Sequence, residues 1–469
     1  MSNDQIFYFP RHNANTFFSH WRTKPTICAS FSVRDGEAMD HLPDDIERIE
    51  LLRVSEDFNF DGLARFQKLS DITFWHYGQL SDRSLAFLGE LPNLRSLAFH
   101  GCSNEKPDFS PKAFAPLTRC HDLRALCIQG PSEAEGQWLT PRHLEPIGEI
   151  SSLEVLFLQR HFSVKATALK KLRELRKLWY LDLSESKVGS GLSHLAHLPL
   201  RVLVLDASSG TETTRSTAIT NKVLGELGSL TSLKSLSLRN CVKIKEDGLE
   251  QLTPLSNLQF IDLTYCRKFY STPDALWPLM KFPNLQIANL DDVSYAPNAH
   301  PSPKEGFLPF IKSQSLRAVL LATFRKKDEH LHALADIESL RYLALDGHAA
   351  NSTAKFSPAA LRQLQQLERM DLKITTRRGG SGVTVADRGC LEALAELPLR
   401  SLRLHGETKE LSAQDLSILS HSRTLKRLHI EDNDGVEVLK ESMPKCHITS
   451  DLMDWESLDV QLPLAHWRE

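Results

Sequence analysis

The sequence predicts an α/β solenoid, a stack of strand-plus-helix repeats that share one parallel sheet. Three observations carry this expectation. A short motif recurs along the chain: apolar, two variable, apolar, one variable, apolar. The segments between copies carry apolar residues at three- and four-residue steps, the helical period. Copies follow one another at intervals of 22 to 33 residues. That is the spacing of a supersecondary unit that cannot bury its own apolar face and must stack on its neighbours.

Taken in order, clear copies of the motif are LRSLAF from Leu94, LKSLSL from Leu233, LQFIDL from Leu258, LRYLAL from Leu340 and LRSLRL from Leu399. With the weaker copies included, the first apolar residue falls at Ile46, Leu69, Leu94, Leu123, Leu153, Leu178, Leu200, Leu233, Leu258, Leu285, Leu316, Leu340, Leu367, Leu399 and Leu425, about 15 repeats. The last two apolar residues of each copy are two apart, so they face one side of a short strand, and the residues alternating with them face the other. Helical character follows, as in LSDRSLAFLGEL from Leu80 and KEDGLEQLTPL from Lys245.

This pattern resembles the leucine-rich-repeat family over residues 41–445. Several copies resemble its cysteine-containing subtype: Cys102, Cys241 and Cys266 each lie eight residues after the first leucine of their copy. The subtype's following segment is echoed by Leu80–Leu85 and by Lys245–Leu249. Tyr77, Pro131, His161, Ser186 and His348 stand at the Cys position in other copies. The resemblance implies a horseshoe solenoid with a parallel concave β-sheet and a helical convex side. The cysteines at equivalent positions are expected to be buried, reduced and structural. Residues 1–40, rich in Phe, Tyr and Trp, and residues 446–469, with Trp455 and Trp467, are expected to cap the open ends.

Composition excludes several classes. The chain has 469 residues, 56 basic against 59 acidic, and a net charge of -3, which gives no global reason to bind nucleic acid or an anionic membrane. No apolar run reaches 18 residues, so no membrane span is expected. The N-terminus does not read as a secretory signal, and the eight cysteines show no framework spacing. A cytoplasmic protein, monomeric when alone, is the expectation.

No constellation reads as catalytic. Arg378–Gly382 is glycine-rich but lacks the Lys-Ser/Thr of a phosphate loop, and reads as a flexible insertion. Cys120–His121 and Cys446–His447 lack a second pair at zinc spacing. Asn351–Thr353 is a glycosylation sequon without a signal to expose it. No enzyme activity, cofactor or metal is expected.

Recognition is expected on the concave face, at the third, fifth and seventh positions of each copy. These supply Trp75, His100, Gln129, Phe157, Gln159, Tyr180, Asp182, Asp206, Arg239, Phe260, Asp262, Asn289, Asp291, Tyr342, Asp346, Asp371, Lys373, Arg403, His405, Arg427 and His429, together with Arg48, Glu50, Asp71 and Arg369. Aromatic side chains interleave with aspartates in the middle, and the stretch from Arg403 is basic. Aromatic anchors among polar groups resemble a binding hot spot, and the acid would favour a basic partner surface. The alternative is that strands simply favour aromatics and that Asp at the strand end is repeat consensus. Insertions after Asp206, Asp291 and Lys373 are expected to line one rim. The functional expectation is a scaffold that binds one protein, acting as a stoichiometric inhibitor or immunity-type neutraliser of a cytosolic protein. An adaptor or substrate-receptor subunit is the alternative, and an enzyme with a concave-face site is a remote third.

Overall fold

The structure, a computed structural model, describes residues 28–32, 42–101, 106–131, 137–161, 164–207, 218–266, 273–290, 313–321, 328–345, 353–374, 382–384, 388–431, 433 and 435–450. The chain divides into two compact units, Met1–Lys243 and Ile244–Glu469. Each is a leucine-rich-repeat stack around a parallel sheet.

In the first unit the strands are β1 (Cys28–Ser32), β2 (Arg48–Leu52), β3 (Asp71–Trp75), β4 (Ser96–His100), β5 (Ala125–Ile128), β6 (Val155–Phe157), β7 (Tyr180–Asp182), β8 (Val202–Val204) and β9 (Ser235–Ser237). Each pairs in parallel with the next. In the second unit they are β10 (Phe260–Asp262), β11 (Ile287–Asn289), β12 (Ala318–Leu320), β13 (Tyr342–Leu345), β14 (Thr353–Lys355), β15 (Arg369–Ile374), β16 (Gly382–Thr384), β17 (Ser401–Gly406), β18 (Arg427–Ile430) and β19 (His447–Thr449). Here the main ladder runs β10 to β13, then β15, β17, β18 and β19, again parallel.

All fifteen motif copies become strands, and each strand begins at the third position of its copy, from Arg48 after Ile46 to Arg427 after Leu425. The first, fourth and sixth positions are buried, as at Leu94, Leu97 and Phe99 or Leu153, Leu156 and Leu158. The return segments are short. Many are 3₁₀ helices, including Asp82–Glu90, Glu246–Leu252 and Pro273–Lys281. A 3₁₀ helix rises about 2.0 Å per residue against about 1.5 Å for an α-helix, so it spans a repeat with fewer residues. α-Helices serve at Asn221–Leu227, Asp328–Ala335 and Arg388–Glu396.

Two backbone devices end the strands. The eighth position adopts a left-handed conformation at Arg53, His76, Gly101, Arg160, Glu185, Asn240, Tyr265 and Gly406, with φ between 53° and 92°. This residue turns the chain out of the sheet toward the return segment. In three copies the ninth-position side chain then reaches the sixth-position carbonyl of the preceding copy. Cys241 Sγ reaches Leu205 (3.4 Å), His161 Nε2 reaches Ile128 (2.9 Å) and Ser186 Oγ reaches Leu158 (3.0 Å). His161 and Ser186, which depart from the subtype in sequence, therefore do the same work as Cys241. Cys241 and Cys266 are buried free thiols, as expected, and Cys102 lies outside the described residues.

The sheet enters both segments expected to be caps: β1 pairs with β2 from Cys28↔Arg48 to Ser32↔Leu52, and β19 pairs with β18. The glycine-rich insertion, expected to be a flexible loop, contributes at its end the short strand β16. That strand pairs in parallel with β14 and meets β15 at Ile374↔Val383.

Candidate protein-binding surface

The third, fifth and seventh positions lie on the sheet face opposite the leucine core, in register between neighbouring strands. Arg48, Asp71 and Ser96 share one column, and Tyr342, Arg369, Ser401 and Arg427 share another. Within the first unit this places Trp75, His100, Gln129, Phe157, Gln159, Tyr180, Asp182, Asp206 and Arg239 on one face; within the second it places Phe260, Asp262, Asn289, Tyr342, Asp371, Lys373, Arg403, His405, Arg427 and His429 likewise. Asp291 and Asp346 lie outside the described residues, as do most residues of the expected rim loops.

The face is not the exposed stripe expected from sequence. Phe157 is 0% exposed, Phe260 2% and Tyr180 5%. In the first unit Ala98, Ala125, Cys127, Val155, Phe157, Trp179, Tyr180 and Val202 form a second apolar layer on this side. The rings of Phe157 and Tyr180 lie 5.0 Å apart. The signal was legible: copies such as LRALCI, LEVLFL and LRVLVL are apolar at the alternating positions too. Strands buried on both faces read as continuous hydrophobic runs. A partner cannot reach these side chains as they stand.

The aspartates are likewise engaged inside the protein. Asp182 accepts from the Ser184 N–H (2.8 Å) and Gln159 Nε2 (2.6 Å); Asp262 accepts from the Thr264 N–H (2.9 Å) and Asn289 Nδ2 (3.0 Å). Asp206 accepts from the Arg239 N–H (3.0 Å) across the sheet. A carboxylate holding the N–H two residues on is an Asx turn, which closes the strand end. Asp182 and Asp262 are buried, and burial pushes the Asp182 carboxyl up to about 6 against its hydrogen bonds. Asp182 and Asp262 therefore do not contribute to an acidic stripe that could steer a basic partner, whereas Asp206 stays half-exposed.

Half-exposed residues remain on the face in both units. In the first, Trp75 lays its ring 4.9 Å from His100 and points Nε1 at Glu50 Oε2 (3.4 Å), in register with Leu52, which is 40% exposed. In the second, Tyr342, Arg369, Lys373, Arg403 and His405 are half-buried. The Arg369 guanidinium stacks 4.4 Å over Tyr342 and pairs with Asp371 at 3.0 Å, and the Tyr342 hydroxyl donates to the same carboxylate at 3.0 Å. Burial raises Asp371, but the Arg369 charge and hydrogen bond, helped by Arg403, outweigh it, and the carboxyl sits below the ordinary range. His429 is buried beside them; burial first, then the Arg403 charge, pushes it down to about 4.

Among the described residues no group of three or more His, Cys, Asp or Glu could hold a metal ion, and no helix is long and apolar enough to cross a membrane. Cys120 is buried with Sγ on the Leu88 carbonyl (3.1 Å), while His121 is exposed.

The register, the left-handed eighth position and the ninth-position ladder define the class: a leucine-rich-repeat protein of the α/β solenoid type. No protein-family model matches the sequence, and no curated protein does. Among solved structures, the chain is similar to a leucine-rich-repeat protein of Leptospira interrogans at 18% identity, covering 87% of this chain and 92% of that one, with a TM-score of 0.47. It is similar to the yeast Rad7 and Elc1 complex at 19% identity, covering 67% and 79%, with a TM-score of 0.41. An internalin of Listeria monocytogenes matches at 14% identity over 88% of each chain, with a TM-score of 0.30. At these identities and scores the likenesses carry no argument about a partner or an activity.

Proposed function

We propose that the chain is a non-catalytic scaffold that binds one protein in a one-to-one complex and acts by occupying its surface. The observation that carries this reading is the pair of preorganised aromatic sites, Trp75 with His100 and Glu50, and Tyr342 with Arg369 and Asp371. Trp, Tyr and Arg are the residue types that dominate binding hot spots. Here they are already fixed by ring contacts and hydrogen bonds, which lowers the ordering cost of binding. Because Asp182, Asp262 and Asp371 are buried and satisfied, the partner need not be basic.

The finer reading is a stoichiometric steric inhibitor, or an immunity-type neutraliser, of a cytosolic protein. A repeat scaffold without catalytic groups can alter a partner by covering its surface. An adaptor role would use the same face but leave the partner active. The test begins with affinity capture from the native host and identification of the bound protein. Titration should then abolish that protein's activity at equimolar scaffold, and Tyr342→Ala with Trp75→Ala should raise the scaffold needed. Full partner activity in a saturated complex would replace inhibition by the adaptor role. Loss of activity at a small fraction of an equivalent, with turnover, would mean an enzyme.

A further inference from the structure

The second unit carries a basic groove on the edge where its strands begin, away from the face discussed above. It encloses about 860 Å³ and lies between Glu338 and Lys445. Its floor is built by the second position of successive copies. The N–H of Glu368 donates to the Arg341 carbonyl (2.8 Å), that of Arg400 to Glu368 (2.7 Å), that of Lys426 to Arg400 (2.9 Å) and that of His447 to Lys426 (2.8 Å). This ladder sets the side chains in a row at the strand spacing of about 4.8 Å. The row reads Arg341, Glu368, Arg400, Lys426, with Arg423 and Lys445 on the lip. Arg400, Arg423, Lys426 and Lys445 are exposed.

Inside the row, Glu368 is shared: Arg341 and Arg400 each approach it at 3.8 Å. One carboxylate cannot neutralise two guanidinium groups, and such long, solvated pairs contribute little. The groove thus holds five basic groups against Glu338 and Glu368. We propose that it binds an acidic peptide segment of a partner protein. The charge order selects this chemistry. A phosphodiester backbone presents uninterrupted negative charge and would meet Glu368 in the middle of the row and Glu338 at its margin. A peptide can place a neutral or basic residue opposite Glu368 and carboxylates opposite Arg341, Arg400 and Lys426.

The test uses the full chain and a fluorescein-labelled decapeptide of four glutamates, two glycines and four glutamates, which sets a neutral stretch opposite Glu368, followed by anisotropy at low salt. Binding should weaken at least tenfold in Arg400→Glu/Lys426→Glu and again in the independent pair Arg423→Glu/Lys445→Glu. Glu368→Gln should tighten it. All four side chains being replaced are exposed, so melting temperatures should stay near wild type; this keeps a folding defect apart from a binding defect. No binding by the wild type, or equal binding by wild type and both reversed pairs, overturns the proposal. Tighter binding of an oligothymidylate of equal length than of the peptide overturns the choice of partner. Because this edge shares no side chain with the Trp75 and Tyr342 sites, either reading can fail without the other.

Discussion

At the scale of single residues, two buried titratable groups a short distance apart in sequence pull in opposite directions. His161 is pushed down to about 4, first by burial, and Asp182 is pushed up to about 6, first by burial. The unfolded chain protonates the histidine near 6.5, so its contribution is complete above that pH and is lost as pH falls toward 4. For Asp182 the native state takes the proton first. Its contribution is complete below the ordinary value of 3.8 and is lost as pH rises through 6. Each shift corresponds to roughly 3 kcal/mol, so the two nearly cancel between pH 4 and 6. His161→Asn should therefore make the protein relatively more acid-resistant, and Asp182→Asn relatively more acid-labile. The readout is the slope of urea-unfolding free energy with pH, which a pH-independent packing defect cannot mimic. Parallel slopes for wild type and both variants would remove these two groups from the balance. Truncation separates the outer face in the same residue-by-residue way. Tyr180→Ala and Phe260→Ala remove buried rings and should each cost about 3–5 kcal/mol, whereas Trp75→Ala, half-exposed, should cost much less. Thermal melting of the three variants decides this.

At the scale of the repeat element, the strand exit is the feature most exposed to test. Arg53 occupies the left-handed position with φ 53° and an exposed side chain. That conformation costs a non-glycine residue about 1–2 kcal/mol, and glycine returns part of the gain as extra freedom in the unfolded chain. Arg53→Gly should leave stability unchanged or raise it by up to about 1 kcal/mol. Arg53→Val, with a branched β-carbon, should lower it by about 1–3 kcal/mol. Chemical denaturation of both reports the sign. A valine variant as stable as wild type would mean that this turn relaxes at no cost. The device holds elsewhere because the neighbours over-determine it: the Arg53 N–H is bound by Trp75 and the His76 N–H by His100, each to the carbonyl of the next strand at 2.8 Å.

At the scale of the molecule, the two preorganised aromatic sites lead to an expectation about kinetics. Among the described residues on the outer face of the second unit, the half-exposed charged side chains are Arg369, Lys373, Arg403 and Glu431, while Asp371 is buried against Arg369. Steering by this face should favour an acidic partner, and salt should slow association more than it speeds dissociation. Stopped-flow mixing with the captured partner at two ionic strengths measures this. An association rate that is insensitive to salt would assign recognition to the apolar contacts of Trp75 and Leu52. The repeats' own stability should follow nearest-neighbour stacking, so damage such as Tyr180→Ala should be felt first in the strands beside β7.

The motif by itself determined the repeat and its register, while the ladder extends past the fifteen copies through β1 and β19. Fifteen copies of an apolar spacing mark fifteen strands, because a two-residue alternation admits only one side for the leucines. The sequence also marked Cys241 and Cys266 as buried, since they recur at one position of that spacing, but not Cys120, Cys127 or Cys390, which are buried too. It did not show that His161 and Ser186 hold the same carbonyl, because the equivalence lies in where a donor atom lands and not in residue type. Nor did it show which of the alternating positions would be reachable. Phe157 and Trp75 occupy the same face by the same rule, yet one is buried and the other half-exposed. Burial of a sheet face depends on what packs across neighbouring strands, a relation between residues 20 to 30 apart that continuous apolar runs such as LEVLFL signal only in part. The basic row from Arg341 to Lys426 was hidden for the same reason: four residues in four repeats become one groove only when the ladder brings them to a strand's width.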